Sequence, residues 1–136
     1  MKQSFFNFKK PIIENLSYKL RSDFDEKEHE SISVSINASK SITRCNNDSR
    51  AKVTLELDFD EETFPFIINI SMSTEVEWIN NNEEHDEELI KSILETNVPS
   101  LLLSYIRPIV TQLTANSPYI PFDIPFLDLR NQGTKT

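Results

Sequence analysis

Apolar and polar residues alternate with a period of two through four stretches ending at Trp78, and then recur with the spacing of a helix. Ile12, Leu16, Tyr18 and Leu20 alternate with Ile13, Asn15, Ser17, Lys19 and Arg21, which predicts a strand spoiled only by Glu14 on its apolar side. From Ser31 onward, Ile32, Val34, Ile36 and Ala38 face one way and Ser33, Ser35 and Asn37 the other, as in a half-buried strand. Asn46, Asn47 and Asp48 supply turn chemistry without glycine, because Asn and Asp side chains bond their own main chain and tolerate left-handed backbone. Val53, Leu55, Leu57 and Phe59 then alternate with Lys52, Thr54, Glu56 and Asp58, forming a meander with the preceding strand. Phe64, Phe66, Ile68, Ile70 and Met72 make a fourth run, which Val76 and Trp78 prolong past a break near Ser73. After an acidic connection, Leu89, Ile90, Ile93 and Leu94 predict about two turns of helix.

Pro99 to Asn116 reads as one helix of about 27 Å, opened by Pro99 at a first-turn position where a missing N–H costs nothing. On a wheel, Val98, Leu101, Leu102, Leu103, Tyr105, Ile106, Ile109, Val110 and Leu113 fill roughly 200°, although one packed face needs about 100°. Such a helix is wedged between its own sheet and something else, either a second copy or an apolar client. Leu101, Tyr105, Ile109 and Leu113 are the candidate oligomer contacts. Pro108 denies the Ser104 carbonyl its donor and is expected to bend the helix, with water taking the freed carbonyl. Pro118, Pro121 and Pro125 then forbid a regular helix and favour an extended run over the surface. Strands followed by helix give an α+β fold: a four-stranded antiparallel sheet covered on one face by a long C-terminal helix. One domain over residues 1–129 is expected, with a disordered polar tail over 130–136.

Composition narrows the chemistry. A chain of 136 residues suffices for one self-supporting core. Its 14 basic and 22 acidic residues give a formal charge of -8, which opposes nucleic acid and anionic membrane surfaces and favours basic partners. Cys45 is the single cysteine, Met1 to Lys10 holds only a short aromatic run, and no apolar stretch is of membrane-spanning length. A cytoplasmic protein without membrane insertion is therefore expected, and the Asn-x-Ser matches at Asn15, Asn37, Asn47 and Asn69 are chance. The only glycine is Gly133, so glycine-rich phosphate loops, dinucleotide fingerprints and nucleophile elbows are excluded. His29 and His85 each sit among carboxylates, but neighbours in a charged loop rarely converge on one ion, and zinc needs three or four ligands held by a scaffold. A Cys45–histidine nucleophilic pair has no supporting motif, and Glu14 alone stands in an apolar run where burial would raise a carboxyl pKa. No enzyme, no metal and no cofactor is expected.

What the chain has in excess is aromatic surface: Phe64, Phe66, Trp78, Tyr105, Tyr119, Phe122 and Phe126. With the over-wide helix, these require either oligomerisation or a client groove.

The order of four strands, an acidic connection, Asn97-Val98-Pro99-Ser100-Leu101-Leu102-Leu103-Ser104-Tyr105-Ile106-Arg107 and Tyr119-Ile120-Pro121-Phe122-Asp123-Ile124-Pro125-Phe126 resembles the SecB family of bacterial protein-export chaperones. The likeness spans Ile12 to Leu129. It implies a homotetramer, a dimer of dimers with the main helices sandwiched between sheets. It also implies an ATP-independent holdase that keeps unfolded polypeptides or preproteins in apolar grooves and passes them to the SecA motor. Carried onto this chain, the polypeptide-binding candidates are Phe64, Phe66, Trp78, Leu102, Tyr105 and Phe122. The family's acidic motor-docking positions align with Asn15, Lys19 and Asn69, none of them acidic, and the second C-terminal helix and acidic tail of typical members are absent from this sequence. SecB-like proteins that guard a toxin–antitoxin partner, and general holding chaperones, fit what remains. A structural or adaptor domain in a permanent oligomer is the rival reading.

Overall fold

The computed structural model describes residues 6–24, 36–44, 49–78, 85–125, 127, 129 and 134–135. The strands are β1 (Phe6–Phe8), β2 (Ile12–Leu20), β3 (Asn37–Arg44), β4 (Arg50–Phe59), β5 (Phe66–Trp78) and β6 (Thr134–Lys135). The helices are α1 (His85–Ser92) and α2 (Val98–Ala115), joined by a π-helical turn at Ile93–Asn97. β5 is the organising strand: it pairs antiparallel with β4 on one side and with β2 and then β1 on the other. β3, β4 and β5 form a meander, whereas β2 lies beside β5, so β2 and β3 occupy opposite sides of the sheet in a Greek-key order.

The sheet exceeds the expected four strands. Phe6–Phe8 form a strand of their own, and β1 and β2 are two pieces of one edge, interrupted where Pro11 has no N–H to offer a ladder. Within β2, Ile13 stands opposite Met72 and Asn15 opposite Ser71, leaving Glu14 as the extra residue of a β-bulge. The bulge corrects the simple alternation. Ile13, rather than Ile12, shares a face with Leu16, Tyr18 and Leu20, and Ile12 sits opposite Ser73 on the other face. Ser73 is where the sequence pattern of β5 broke, yet the strand continues unbroken to Trp78.

β3 also differs from expectation. Of the stretch from Ser31 to Ala38, only residues 36–38 are described, and the strand extends through Lys40 and Ile42 to Arg44. Lys40 hid this extension, because a charged residue occupies an apolar-face position between Ala38 and Ile42 and is fully buried. Its partner explains it. Pro99 has no N–H for the Glu95 carbonyl four residues earlier, and Lys40 Nζ donates to that carbonyl at 2.7 Å. Pro99 therefore does not open a free helix. The preceding residues are already helical, the Val98 N–H bonds Ile93 O, and α2 runs on from the π turn to Ala115, passing through Pro108.

Val53, Leu55, Leu57 and Phe59 of β4 and Phe66, Ile68, Ile70, Met72 and Val76 of β5 form the floor of the core. Leu94, Val98, Leu102, Leu103, Ile106 and Val110 form its roof. Each such side chain contributes about 1.5–3 kcal/mol on burial. Beyond α2 the chain is irregular, as the prolines dictate, and straps the core: Phe122 stands edge-on to Phe64 (4.9 Å) and Phe59 (5.8 Å), Tyr119 edge-on to Phe66 (5.9 Å) and Phe24 (5.4 Å). Thr134–Lys135, in the tail expected to be disordered, pair parallel with Lys40–Ser41. Expectations for His29, Ile32, Val34, Cys45, the turn at 46–48 and Phe126 concern residues outside those described.

Candidate polypeptide-binding face

α2 is about 10 Å wide and strands are spaced about 4.8 Å apart, so one helix covers two strands. It lies on β4 and β5. β3 has its cover from the π turn, through Lys40 and Glu95. Among the described residues the β1–β2 edge has no helix over it, and on its helix side Phe8, Ile13, Leu16 and Leu20 remain 37–43% exposed.

The handedness of α2 decides what faces that edge. The helix descends from the Arg44 end of the sheet to the Phe59–Phe64 end, because Arg44 pairs with Glu87 ahead of it and Thr114 Oγ1 near its end receives the Phe122 N–H at 2.8 Å. On that course a right-handed helix turns Arg107 and Thr111 toward β3 and Leu101, Tyr105, Ile109 and Leu113 toward β2. The β3 flank is closed by the chain's own strap: Arg107 Nε donates to Ile124 O (3.0 Å) and Thr111 Oγ1 to Asp123 Oδ1 (2.8 Å). The β2 flank is open, with Tyr105 48% exposed and Leu101, Ile109 and Leu113 half-buried. A trough thus runs between the edge strand and α2, apolar on both walls.

The residues carried over as polypeptide contacts fall into two groups. Phe64, Phe66, Trp78 and Leu102 are buried in the subunit's own core and form the base beneath the trough rather than its surface. Tyr105 is exposed and Phe122 half-buried in the strap. Phe8, Ile13, Leu16 and Leu20 were not among the candidates. The alternation of β2 carried the signal for Leu16 and Leu20, but it put Ile13 on the wrong face because of the bulge, and Phe8 belongs to β1. The exposure of all four depends on which strand lies at the edge and on where one helix stops.

The opposite face of the sheet is polar and charge-balanced. Asn15 Nδ2 donates to Asn69 Oδ1 (2.8 Å), and Asn69 Nδ2 to Asp58 Oδ1 (3.2 Å). The bulge residue Glu14 accepts from Ser73 Oγ (2.6 Å) and pairs with Lys52 (3.0 Å), and the hydroxyl and then the ammonium hold its carboxyl below its ordinary range. Lys9 does the same for Glu75 at 3.0 Å, and the pairing raises Lys9 in return. Among the described residues no group of His, Cys, Asp and Glu is arranged to hold a metal ion, and no helix is long and apolar enough to cross a membrane.

No family model and no curated protein matches this sequence. Among solved structures, the chain is similar to the SecB-like chaperone of Mycobacterium tuberculosis in complex with a peptide from the HigA1 antitoxin. The TM-score is 0.67 at 12% identity over 90% of this chain and 87% of that one. The fold is SecB-like. A protein of unknown function from Streptococcus agalactiae is also similar, with a TM-score of 0.51 at 13% identity over 89% of this chain and 97% of that one. At such identities the likeness is one of fold, and within the SecB-like fold the α+β order of strands, short helix, long helix and proline-rich strap is the arrangement expected from the sequence.

Proposed function

We propose that this chain is an ATP-independent holding chaperone that takes non-native polypeptide segments on the apolar trough between β2 and α2. The observation that carries the reading is the pairing of two uncovered apolar walls, Phe8, Ile13, Leu16 and Leu20 on the sheet and Leu101, Tyr105 and Ile109 on the helix. Hydrophobic contact is non-directional, so one trough accepts many sequences. Self-association as a homotetramer, a dimer of dimers, covers part of the helix flank through Leu101, Tyr105, Ile109 and Leu113, leaving the edge-strand wall for clients with Tyr105 at the boundary. Phe64, Phe66, Trp78 and Leu102 support the trough from beneath, and Phe122 fixes the strap at its far side.

The similarity to a SecB-like chaperone solved with an antitoxin peptide supports a polypeptide ligand and favours one dedicated to a toxin–antitoxin system. Delivery to SecA has less support, because Asn15 and Asn69 are neutral and bonded to one another and Lys19 is basic. The test is suppression of aggregation of a chemically denatured client diluted into buffer without nucleotide. Suppression at a stoichiometric ratio of tetramer to client is expected, and its absence overturns the reading. A structural domain in a permanent oligomer is the alternative, since a second copy also closes an open edge and a bare helix flank. A saturated oligomer by sedimentation that binds no dye for exposed apolar surface decides for it.

A further inference from the structure

At the other side of the sheet, β3 is an eight-residue strand whose free side is paired, among the described residues, only by Thr134 and Lys135, opposite Lys40 and Ser41. Beyond that two-residue pairing no described residue pairs with the free side of β3 along Ile42, Thr43 and Arg44. Beside this open portion is a cavity of about 390 Å³ lined by Ile42, Thr43, Arg44, Glu87, Lys91, Leu94 and Glu95. Its floor is apolar, from Ile42 and Leu94, and its rim is charged. Its walls are fixed: Arg44 pairs with Glu87 and lies 5.3 Å over the Trp78 ring, while Lys40 Nζ holds the Glu95 carbonyl at 2.7 Å.

Register joins the two features. Lys40, Ile42 and Arg44 share the helix-covered side of β3, so alternate residues of a strand lying along β3 point toward α1 and the π turn. In the parallel register already used by Thr134 and Lys135, the first inward residue beyond that pair stands opposite Ile42, at the cavity. Its volume exceeds that of any single side chain, and the balanced rim selects no net charge on the occupant.

We infer that the free side of β3 and this cavity form a strand-addition site, for an extended segment of another polypeptide that runs parallel to β3 and seats one large apolar side chain opposite Ile42. Main-chain hydrogen bonds supply the sequence-tolerant part of the affinity and the cavity the specific part. Thr134 and Lys135 occupy the first two positions of the same track in the free chain, so the tail competes with the ligand. The site is separate from the trough at β2.

The experiment uses the full chain and a fluorescently labelled peptide, Gly-Thr-Lys-Trp-Thr-Leu, which continues the tail's register and places its Trp opposite Ile42. Thr134→Pro with Lys135→Pro removes the tail's donors, and anisotropy should then show binding about tenfold tighter than to the unaltered chain. Lys91→Trp, an exposed substitution that fills the cavity mouth, should weaken binding about tenfold or more with the melting temperature unchanged, as should Trp→Asp in the peptide. Amide exchange at Ile42–Arg44 should slow on binding. Tyr105→Asp, in the β2 trough, should leave this binding intact. Failure of the peptide to bind the proline variant, indifference to Lys91→Trp or to Trp→Asp, or loss of binding in Tyr105→Asp each overturns the site, and none of these bears on whether the trough holds clients.

Discussion

The two flanks of α2 have similar length and the same neighbours beneath, yet they end differently. The flank toward β3 is polar and is finished by the chain itself: Arg107, Thr111 and Thr114 bind the backbone and side chains of residues 122–124, and Ile124 is buried against it. The flank toward β2 is apolar, and no described residue of the subunit finishes it. Polar groups demand a partner of fixed geometry, which a short strap can provide. An apolar stripe accepts any apolar surface, and among the described residues it stays partly exposed. The wide arc of the helix is therefore not one oversized core face but a core face plus a second apolar surface left partly exposed.

The largest effect that sharpens this contrast comes from beneath both flanks. Phe66→Ala, at a fully buried ring touching Tyr18, Phe64 and Tyr119, should destabilise by about 3–5 kcal/mol in chemical denaturation. A loss below 1 kcal/mol would mean that the ring is not in the core. Next comes the closed flank. Thr114 is buried, donates to Val110 O at 2.9 Å and accepts the Phe122 N–H at 2.8 Å, so Thr114→Val strands that N–H. About 1–3 kcal/mol should be lost, with faster amide exchange at Phe122 and with client binding retained.

Much of this organisation was legible in the sequence. β4, β5 and the long helix follow from periods of two and 3.6, and the irregular strap from its three prolines, whereas the strand read over Ser31 to Ala38 is described only from residue 36 and runs on to Arg44. What escaped was each case in which a residue's partner lies far along the chain. Lys40 broke the pattern of β3 because it answers Pro99, fifty-nine residues later, and no local rule couples an inward lysine to a missing N–H. Glu14 broke the pattern of β2 because it is a bulge residue, and alternation assumes none. Phe64, Phe66, Trp78 and Leu102 could be counted as surplus aromatic and apolar surface but not divided between core and exterior, since burial depends on sheet order. Tyr105 stood in the apolar arc with the core positions, and the wheel alone did not say that the sheet would leave it exposed.

On the open flank, Tyr105→Ala should change stability by less than about 1 kcal/mol, because nearly half of the side chain is already in water, while weakening client binding severalfold. The reverse outcome, a large loss of stability with binding preserved, would break the contrast between the flanks and make Tyr105 an ordinary core residue.

The smallest effect is electrostatic and is read at the edge strand of the open side. The strand that forms the sheet wall of the open side is held at its bulge by Glu14, whose carboxyl lies below its ordinary value of 4.5 owing first to the Ser73 hydroxyl and then to Lys52. A folded-state pKa below the unfolded one means that the stabilisation is complete above the unfolded value and is lost as pH falls through the folded one. The strap's bonds to Thr114 and from Arg107 engage no carboxylate. Acidification from neutral pH to below about 4 should therefore speed amide exchange in β2 around Glu14 before it does so at Phe122, and the melting temperatures of the parent and of Glu14→Gln should converge over the same window. Because this site is exposed, the shift in melting temperature is expected to be small. Parallel melting curves for the two proteins across that window would show that the bulge is held by its hydrogen bond alone, without help from charge.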